Sequence, residues 1–296
     1  MVKFNFYKIL VKKNKTMLSI KRIHNVLLRL INNPVYFYFR LVSKIKSIFS
    51  LPHIKVKKRI NGILFEFNLD KSPFVTESFL GNYEPKTVKV IKKILSSGDT
   101  FIDIGANIGY LSAIGSGFVG KTGAVHCFEP DPKYYQKLQK LPTMNPNYKI
   151  ITKQYALGKT EGEAKMNIAD LSKAGGNTLV SNFMKPTTIK ENIQVTVKRL
   201  DNYIKEQQLK NIALIKIDVE GFEFPVLQGL ENFFIETPLR PMILCEVTPN
   251  VYPLMEYQFK DLFDYMKKFG YSAFNLNDKK IHWSTLKKTA NVLFKQ

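Results

Sequence analysis

Four carboxylates stand in or just after short apolar runs, and their placement is where chemistry could reside. Asp103 lies within T-F-I-D-I at 100–104, and Glu129 follows A-V-H-C-F at 124–128. Asp218 follows A-L-I-K-I at 213–217, and Glu246 follows M-I-L-C at 242–245. Each run has the length and apolar character of a buried parallel strand. In an open parallel sheet the ligand crevice lies outside the carboxyl ends of the strands. The four acids are therefore expected on one rim. The chain carries a formal charge of +21, so gathering anions against that background points to a site, and to a cationic ligand.

The first run continues into G-A-N-I-G at 105–109, after which a helical pattern begins. Strand, glycine turn and helix bring backbone close to a nucleotide-like ligand. The spacing is not G-x-G-x-x-G, and there is no G-K-[ST], so a dinucleotide pyrophosphate is not favoured. Glu129 lies 24 residues after Gly105, close to the interval of about 20 at which a ribose-binding carboxylate falls. Alone, each acid reads as a solvated loop residue; in this combination a site is the better account. A cofactor with an amino-acid moiety, a ribose and a sulfonium but no phosphate suits the set: S-adenosylmethionine. Asp103, Gly105, Asn107 and Gly109 are expected around its methionine end, with Glu129 on the ribose.

These stretches resemble the FkbM-type S-adenosylmethionine-dependent methyltransferases. The matching residues are F-I-D-I-G-A-N-I-G-Y at 101–110, F-E-P-D-P at 128–132, A-L-G at 156–158, R-L-D-N-Y at 199–203, I-K-I-D-V-E-G-F-E-F-P-V-L-Q-G at 215–229 and I-L-C-E-V at 243–247. The resemblance covers roughly 55–275. It implies an α/β, Rossmann-like class I fold: a seven-stranded sheet, last strand antiparallel, helices on both faces. It also implies methyl transfer, usually to oxygen, with sugars and natural products as acceptors.

Methyl transfer to a hydroxyl needs positioning and a group to take the proton. Asp218, Glu220 and Glu246 are the catalytic candidates, with Glu223 nearby; Glu220 and Glu223 could instead cap the following helix. Lys216, in the strand before Asp218, is expected to point away from it. Carboxylates could hold Mg²⁺, but no histidine cluster suggests a transition metal, and none is assigned. His126 and His282 are weak candidates for a base. Cys127 and Cys245 lie in expected strands without a C-x-x-C, and read as small core hydrophobes of a reducing compartment.

At 296 residues and 45% hydrophobic, the chain can bury one substantial core plus an extension. Residues 1–60 hold 15 Lys or Arg and no Asp or Glu, leaving +6 for the remaining 236. Ile20, Ile23, Val26, Leu27, Leu30 and Ile31 fall at helical spacing, and an aromatic-basic segment follows Pro34. No run reaches the ~18–20 apolar residues of a membrane span, and 1–20 lacks a signal-peptide core. Residues 1–52 therefore read as a basic amphipathic extension and 53–296 as the methyltransferase domain. The expectation is a cytoplasmic enzyme, peripheral at an anionic membrane, acting on a hydroxyl-bearing acceptor such as a sugar or glycolipid. A helical extension docked on the domain is the plainer alternative. A nucleic-acid methyltransferase would suit the charge, yet no N/D-P-P-Y/F motif or RNA-binding module is present; a non-catalytic scaffold would not need the cofactor turn. The remaining pattern predicts a hairpin around Asn61-Gly62, helices at 88–95, 133–141 and 259–269, a third strand within 148–155, a β insertion from 164–168 and 193–198 flanking a mobile loop at 175–177, and a terminal hairpin from 272–276 and 291–294.

Overall fold

The computed structural model describes residues 54–69, 73–169, 176–238 and 240–296. The basic extension, and Gly175 of the expected loop, lie outside the described residues. Contacts divide the chain into two compact units, one comprising residues up to Lys58 with Glu66–Tyr83, the other Arg59–Phe65 with Glu84–Gln296.

Strands β1 (Ile54–Ile60) and β2 (Ile63–Leu69) form the expected hairpin, turning at Asn61-Gly62, both with positive φ. In the first unit helix α1 (Pro73–Leu80) packs Phe79 edge-on against Phe67. In the second unit Asn145 Oδ1 accepts from the Leu64 N–H and its Nδ2 donates to the Leu64 carbonyl.

The second unit is a three-layer α/β domain. Its elements run α2 (Pro85–Ile94), β3 (Thr100–Ile104), α3 (Tyr110–Val119), β4 (Ala124–Phe128), α4 (Pro132–Leu138), α5 (Lys140–Met144), β5 (Lys149–Lys153), β6 (Ala156–Leu157), β7 (Gly162–Ala169), β8 (Ile189–Lys198) and α6 (Leu200–Glu206). They continue through β9 (Ile212–Ile217), α7 (Glu223–Gln228), α8 (Glu231–Glu236), β10 (Met242–Val247), α9 (Phe259–Lys268), β11 (Ser272–Phe274) and β12 (Ala290–Lys295). Seven strands form one sheet in the order β11-β12-β10-β9-β3-β4-β5. β5, β4, β3, β9 and β10 are parallel, whereas β12 is antiparallel to both its neighbours. This is the sheet the resemblance implies.

The central strands are buried on both faces because helices cover both. Ile102, Ile104, Ile215, Ile217 and Ile243 pack with Phe224, Leu227, Leu262 and Phe294 in the main core; burying each such side chain contributes roughly 1.5–3 kcal/mol. The insertion is a separate three-stranded sheet, β6-β8-β7, with β7 and β8 antiparallel.

Two expectations change, and three helices were not foreseen. The helix at 133–141 is two, α4 and α5, since Pro142 has no N–H to extend the first ladder. Glu246 lies inside β10, paired with Asn291, because β12 extends the ladder past Cys245. α1, α6 and α8, each of eight residues or fewer, are too short to show a helical period.

Candidate active site

Strand register builds the site. Asp103 of β3 is the register partner of Lys216 of β9, and Lys216 in turn partners Leu244 of β10. Side chains two apart share a strand face, so Asp218 and Glu246 fall next to this row, one step nearer the carboxyl ends. The expectation that Lys216 points away from Asp218 is thereby corrected: Nζ lies 3.3 Å from Asp218 Oδ2 and 3.4 Å from Asp103 Oδ1.

The turn after β3 is backbone-lined. Gly105 (φ 74), Asn107 (φ 53) and Gly109 (φ 87) all take left-handed conformations. The Gly105 and Ala106 N–H groups both donate to the Phe128 carbonyl, tying the turn to the end of β4. Asp103, fully buried, sits beneath it; Oδ2 accepts from Ser112 Oγ at 2.5 Å, while Oδ1 has the ionic contact with Lys216 and no hydrogen bond.

Glu129 closes the other side. Its Oε2 accepts from the Asn107 N–H (2.8 Å) and its Oε1 from the Asp131 N–H (2.9 Å). Burial pushes its carboxyl up to about 7 against the pull of those two N–H groups. A carboxylate offers about four acceptor positions, so two remain for further donors. Asp131 caps α4 through the Lys133 N–H and accepts from Asn177 Nδ2 at 2.6 Å.

The acids after β9 are differentiated. Asp218 faces Lys216 and is partly exposed. Glu220 has φ 53, its carbonyl accepts from Thr178 Oγ1 at 2.7 Å, and the Gly176 N–H bonds its carboxylate. Burial, then the Asp218 charge, lifts its carboxyl to about 6. Glu223 is wholly buried at the first position of α7, accepting from the Gly221 N–H (2.7 Å), and burial lifts it to about 8. Glu246 holds its proton well above the usual carboxylate range through burial, then the charges of Asp218, Glu220, Glu84 and Glu223. Glu84, before α2 with φ 44, is a neighbour that sequence reasoning missed; a polar residue ahead of Pro85 was its one faint signal. Of the mobile loop expected at 175–177, Gly176 and Asn177, with Thr178 after them, bond to Glu220 and Asp131 and so tie the segments after β4 and β9 together.

The structure thus brings Asp103, Gly105, Asn107 and Gly109 to one turn, Glu129 against that turn, and Asp218, Glu220 and Glu246 to the adjoining rim. It does not bring the histidines there. His126 is buried against the Tyr203 hydroxyl (2.7 Å), and burial with Lys149 and Lys153 lowers it to about 4; His282 bonds Ser284. Cys127 and Cys245 are free and buried. Among the described residues no three His, Cys, Asp or Glu side chains are set to hold one metal ion.

A mostly parallel seven-stranded sheet with one antiparallel strand, a glycine turn after β3 and a carboxylate after β4 define a class I methyltransferase domain. More narrowly, the methyltransferase FkbM domain model matches residues 103–273, and the chain belongs to that family. Hexuronic acid methyltransferase AglP of Haloferax volcanii is 24% identical over 151 residues, 50% of this chain and 57% of its own. Methyltransferase 1 of Beauveria bassiana is 28% identical over 152 residues, 45% of this chain and 59% of its own. The chain spans less than two thirds of either relative. Among solved structures, the FkbM methyltransferase of Methylobacillus flagellatus KT is 17% identical, covering 76% of this chain and 55% of that one, with a TM-score of 0.43.

Proposed function

We propose that this chain is an S-adenosylmethionine-dependent O-methyltransferase whose acceptor is a sugar or glycan hydroxyl. The observation that carries the reading is the division of the rim into two parts: a backbone-lined turn with Glu129 against it, and the separate acids Asp218, Glu220 and Glu246 beside it. The donor set suits the cofactor. Glu129 has acceptor positions left for ribose hydroxyls, the turn carries no side chain at Gly105 or Gly109, and Lys216, the buried cation beneath the rim, is taken up by two carboxylates rather than offered to a phosphate.

In this assignment Gly105, Asn107 and Gly109 hold the methionine end, Asp103 supports them from beneath, and Glu129 takes the ribose. The bound cofactor supplies an electrophilic methyl on a sulfonium. Asp218, Glu220 and Glu246 face the acceptor: they orient its hydroxyl, and an ionised member takes the proton as the oxygen attacks. A sugar acceptor is favoured by the likeness to a relative named as a hexuronic acid methyltransferase. Residues 1–52, basic and amphipathic in sequence, would hold the enzyme at an anionic membrane carrying a lipid-linked acceptor. Among the described residues no helix is long and apolar enough to cross a membrane.

The test is calorimetry with S-adenosylmethionine, followed by methyl-transfer assays on hexuronic-acid glycans, neutral glycans and RNA. Cofactor binding with methylation of a glycan supports the reading. RNA methylation alone, or no cofactor binding, overturns it.

A further inference from the structure

We propose that Lys216 is the positioning residue of this site, a single buried ammonium that fixes the glycine turn and the Asp218 carboxylate in one register. The inference rests on the methyl-transfer reading above and adds to it a residue that joins the cofactor side to the acceptor side.

Nζ lies 3.4 Å from Asp103 Oδ1, 3.3 Å from Asp218 Oδ2 and 3.3 Å from the Gly105 carbonyl. Nζ donates a hydrogen bond to the Gly105 carbonyl and holds the two carboxylates by charge. The residue is 5% exposed, and burying a charge is costly unless it is paired and bonded. A purely structural pair would need one carboxylate, and Asp103 is fully buried beside it. The second carboxylate, Asp218, opens onto the rim, and the carbonyl belongs to the first residue of the turn.

The two segments that Lys216 pins also touch through their backbones. The Asp218 N–H donates to the Ile104 carbonyl at 3.1 Å. A Cβ placed on Gly105 would lie 1.8 Å from the Asp218 carbonyl oxygen. Lys216 closes this junction from below, so a shift of the Asp218 loop moves the turn with it. Lys216 thus adds a side-chain tie to a junction already joined by backbone, which holds turn and acid at a fixed distance, as alignment of a methyl donor with its acceptor demands.

The test uses the full chain as Lys216→Met and as the double variant Lys216→Met/Asp103→Asn, in which the buried partner charge is removed together with the lysine so that folding is not burdened by it. Calorimetry measures S-adenosylmethionine and S-adenosylhomocysteine, and thermal melts are recorded without ligand. Val292→Ala, in the core of β12 away from the turn, serves as a control for loss of stability alone. Both Lys216 variants are expected to bind both ligands at least tenfold more weakly, the two ligands alike because the turn holds the part common to both, while Val292→Ala melts earlier and binds like wild type. The proposal is overturned if either folded Lys216 variant binds within twofold of wild type, if Val292→Ala weakens binding as much, or if affinity changes for the sulfonium ligand alone. Failure of wild type to bind either ligand would instead remove the methyl-transfer reading, and this inference with it.

Discussion

Replacing Gly105 and Gly109 by alanine, one at a time, separates a glycine required by the protein's own backbone from one that merely keeps the turn bare. Both are left-handed, with φ 74 and 87, so each alanine costs about 1–2 kcal/mol in backbone energy alone. The surroundings then diverge. At 109 the added Cβ meets Leu138 Cδ1 at 2.7 Å, the end of a flexible side chain that can rotate; overpacking of this kind adds roughly 1–2 kcal/mol. At 105 it meets the Asp218 carbonyl oxygen at 1.8 Å and the carbonyl carbon at 2.9 Å. Those atoms belong to backbone locked to Ile104 and cannot rotate away. Relief requires the ends of β3 and β9 to part, breaking the Asp218–Ile104 bond and the Lys216 contacts. Gly109→Ala should therefore lose about 2–4 kcal/mol, and Gly105→Ala more than about 4 kcal/mol, in the rare tail of single substitutions. Urea unfolding of the full chain without ligand measures both, read as midpoint shifts at constant slope. Equal losses for the two would refute the claim that backbone against backbone dictates Gly105.

Glu129→Gln should weaken S-adenosylmethionine binding by roughly 1.5–3 kcal/mol, the worth of hydrogen bonds to a charged group; unchanged calorimetric affinity would remove Glu129 from the ribose. Stability without ligand should fall as pH rises from about 4.5 to about 8. Glu129 and Glu223 are raised to about 7 and about 8, so the fold holds protons that the unfolded chain releases, and their contribution is present in acid and lost through those values. His126, lowered to about 4, has the opposite sign and offsets one of the two carboxyls up to about 6.5, so the fall in melting temperature should be shallow from about 4.5 to 6.5 and steeper just above; a melting temperature that climbs from pH 6.5 to 8 contradicts this. Asp218→Asn or Glu220→Gln should abolish methyl transfer to whichever glycan is accepted, with cofactor affinity unchanged in Glu220→Gln, and wild-type turnover in both would make the cluster structural. Full-length protein should sediment with anionic vesicles at low salt and a version starting near Leu51 should not; if both remain in the supernatant, the membrane role of residues 1–52 is abandoned.

Much of this arrangement was legible because strands of a parallel sheet are short, apolar and end where the ligand crevice begins. Ile102, Ile215 and Ile243 announce their strands by composition, and Asp103, Glu129, Asp218 and Glu246 mark the rim by position. Lys216 was misjudged through its own strand: residues two apart share a face, and its register with Asp103, 113 positions earlier in the sequence, has no local signature. The strap of Asn177 and Thr178 was illegible for a similar reason, since Asp131 and the Glu220 carbonyl lie 46 and 42 residues away. Glu223 was left between base and cap; its bonds run to the Gly221 N–H in the loop before α7 and to the Tyr252 hydroxyl, partners that no local pattern announces. Differences among the acids arise from burial and mutual repulsion, which depend on packing rather than on residue type.

The position of β12 has a consequence for how the protein is made. It is synthesised after β11 yet lies between β11 and β10, so neither has its final sheet neighbour on that side until residues 290–295 leave the ribosome. Through that interval β10, with Glu246 on it, is an open edge, the kind of surface that pairs with other chains. The acid-bearing rim is therefore among the last parts of the domain to be enclosed. Damage to β12, remote in sequence from every acid of the rim, should appear first as poor yield from synthesis, before any change in what the folded molecules bind.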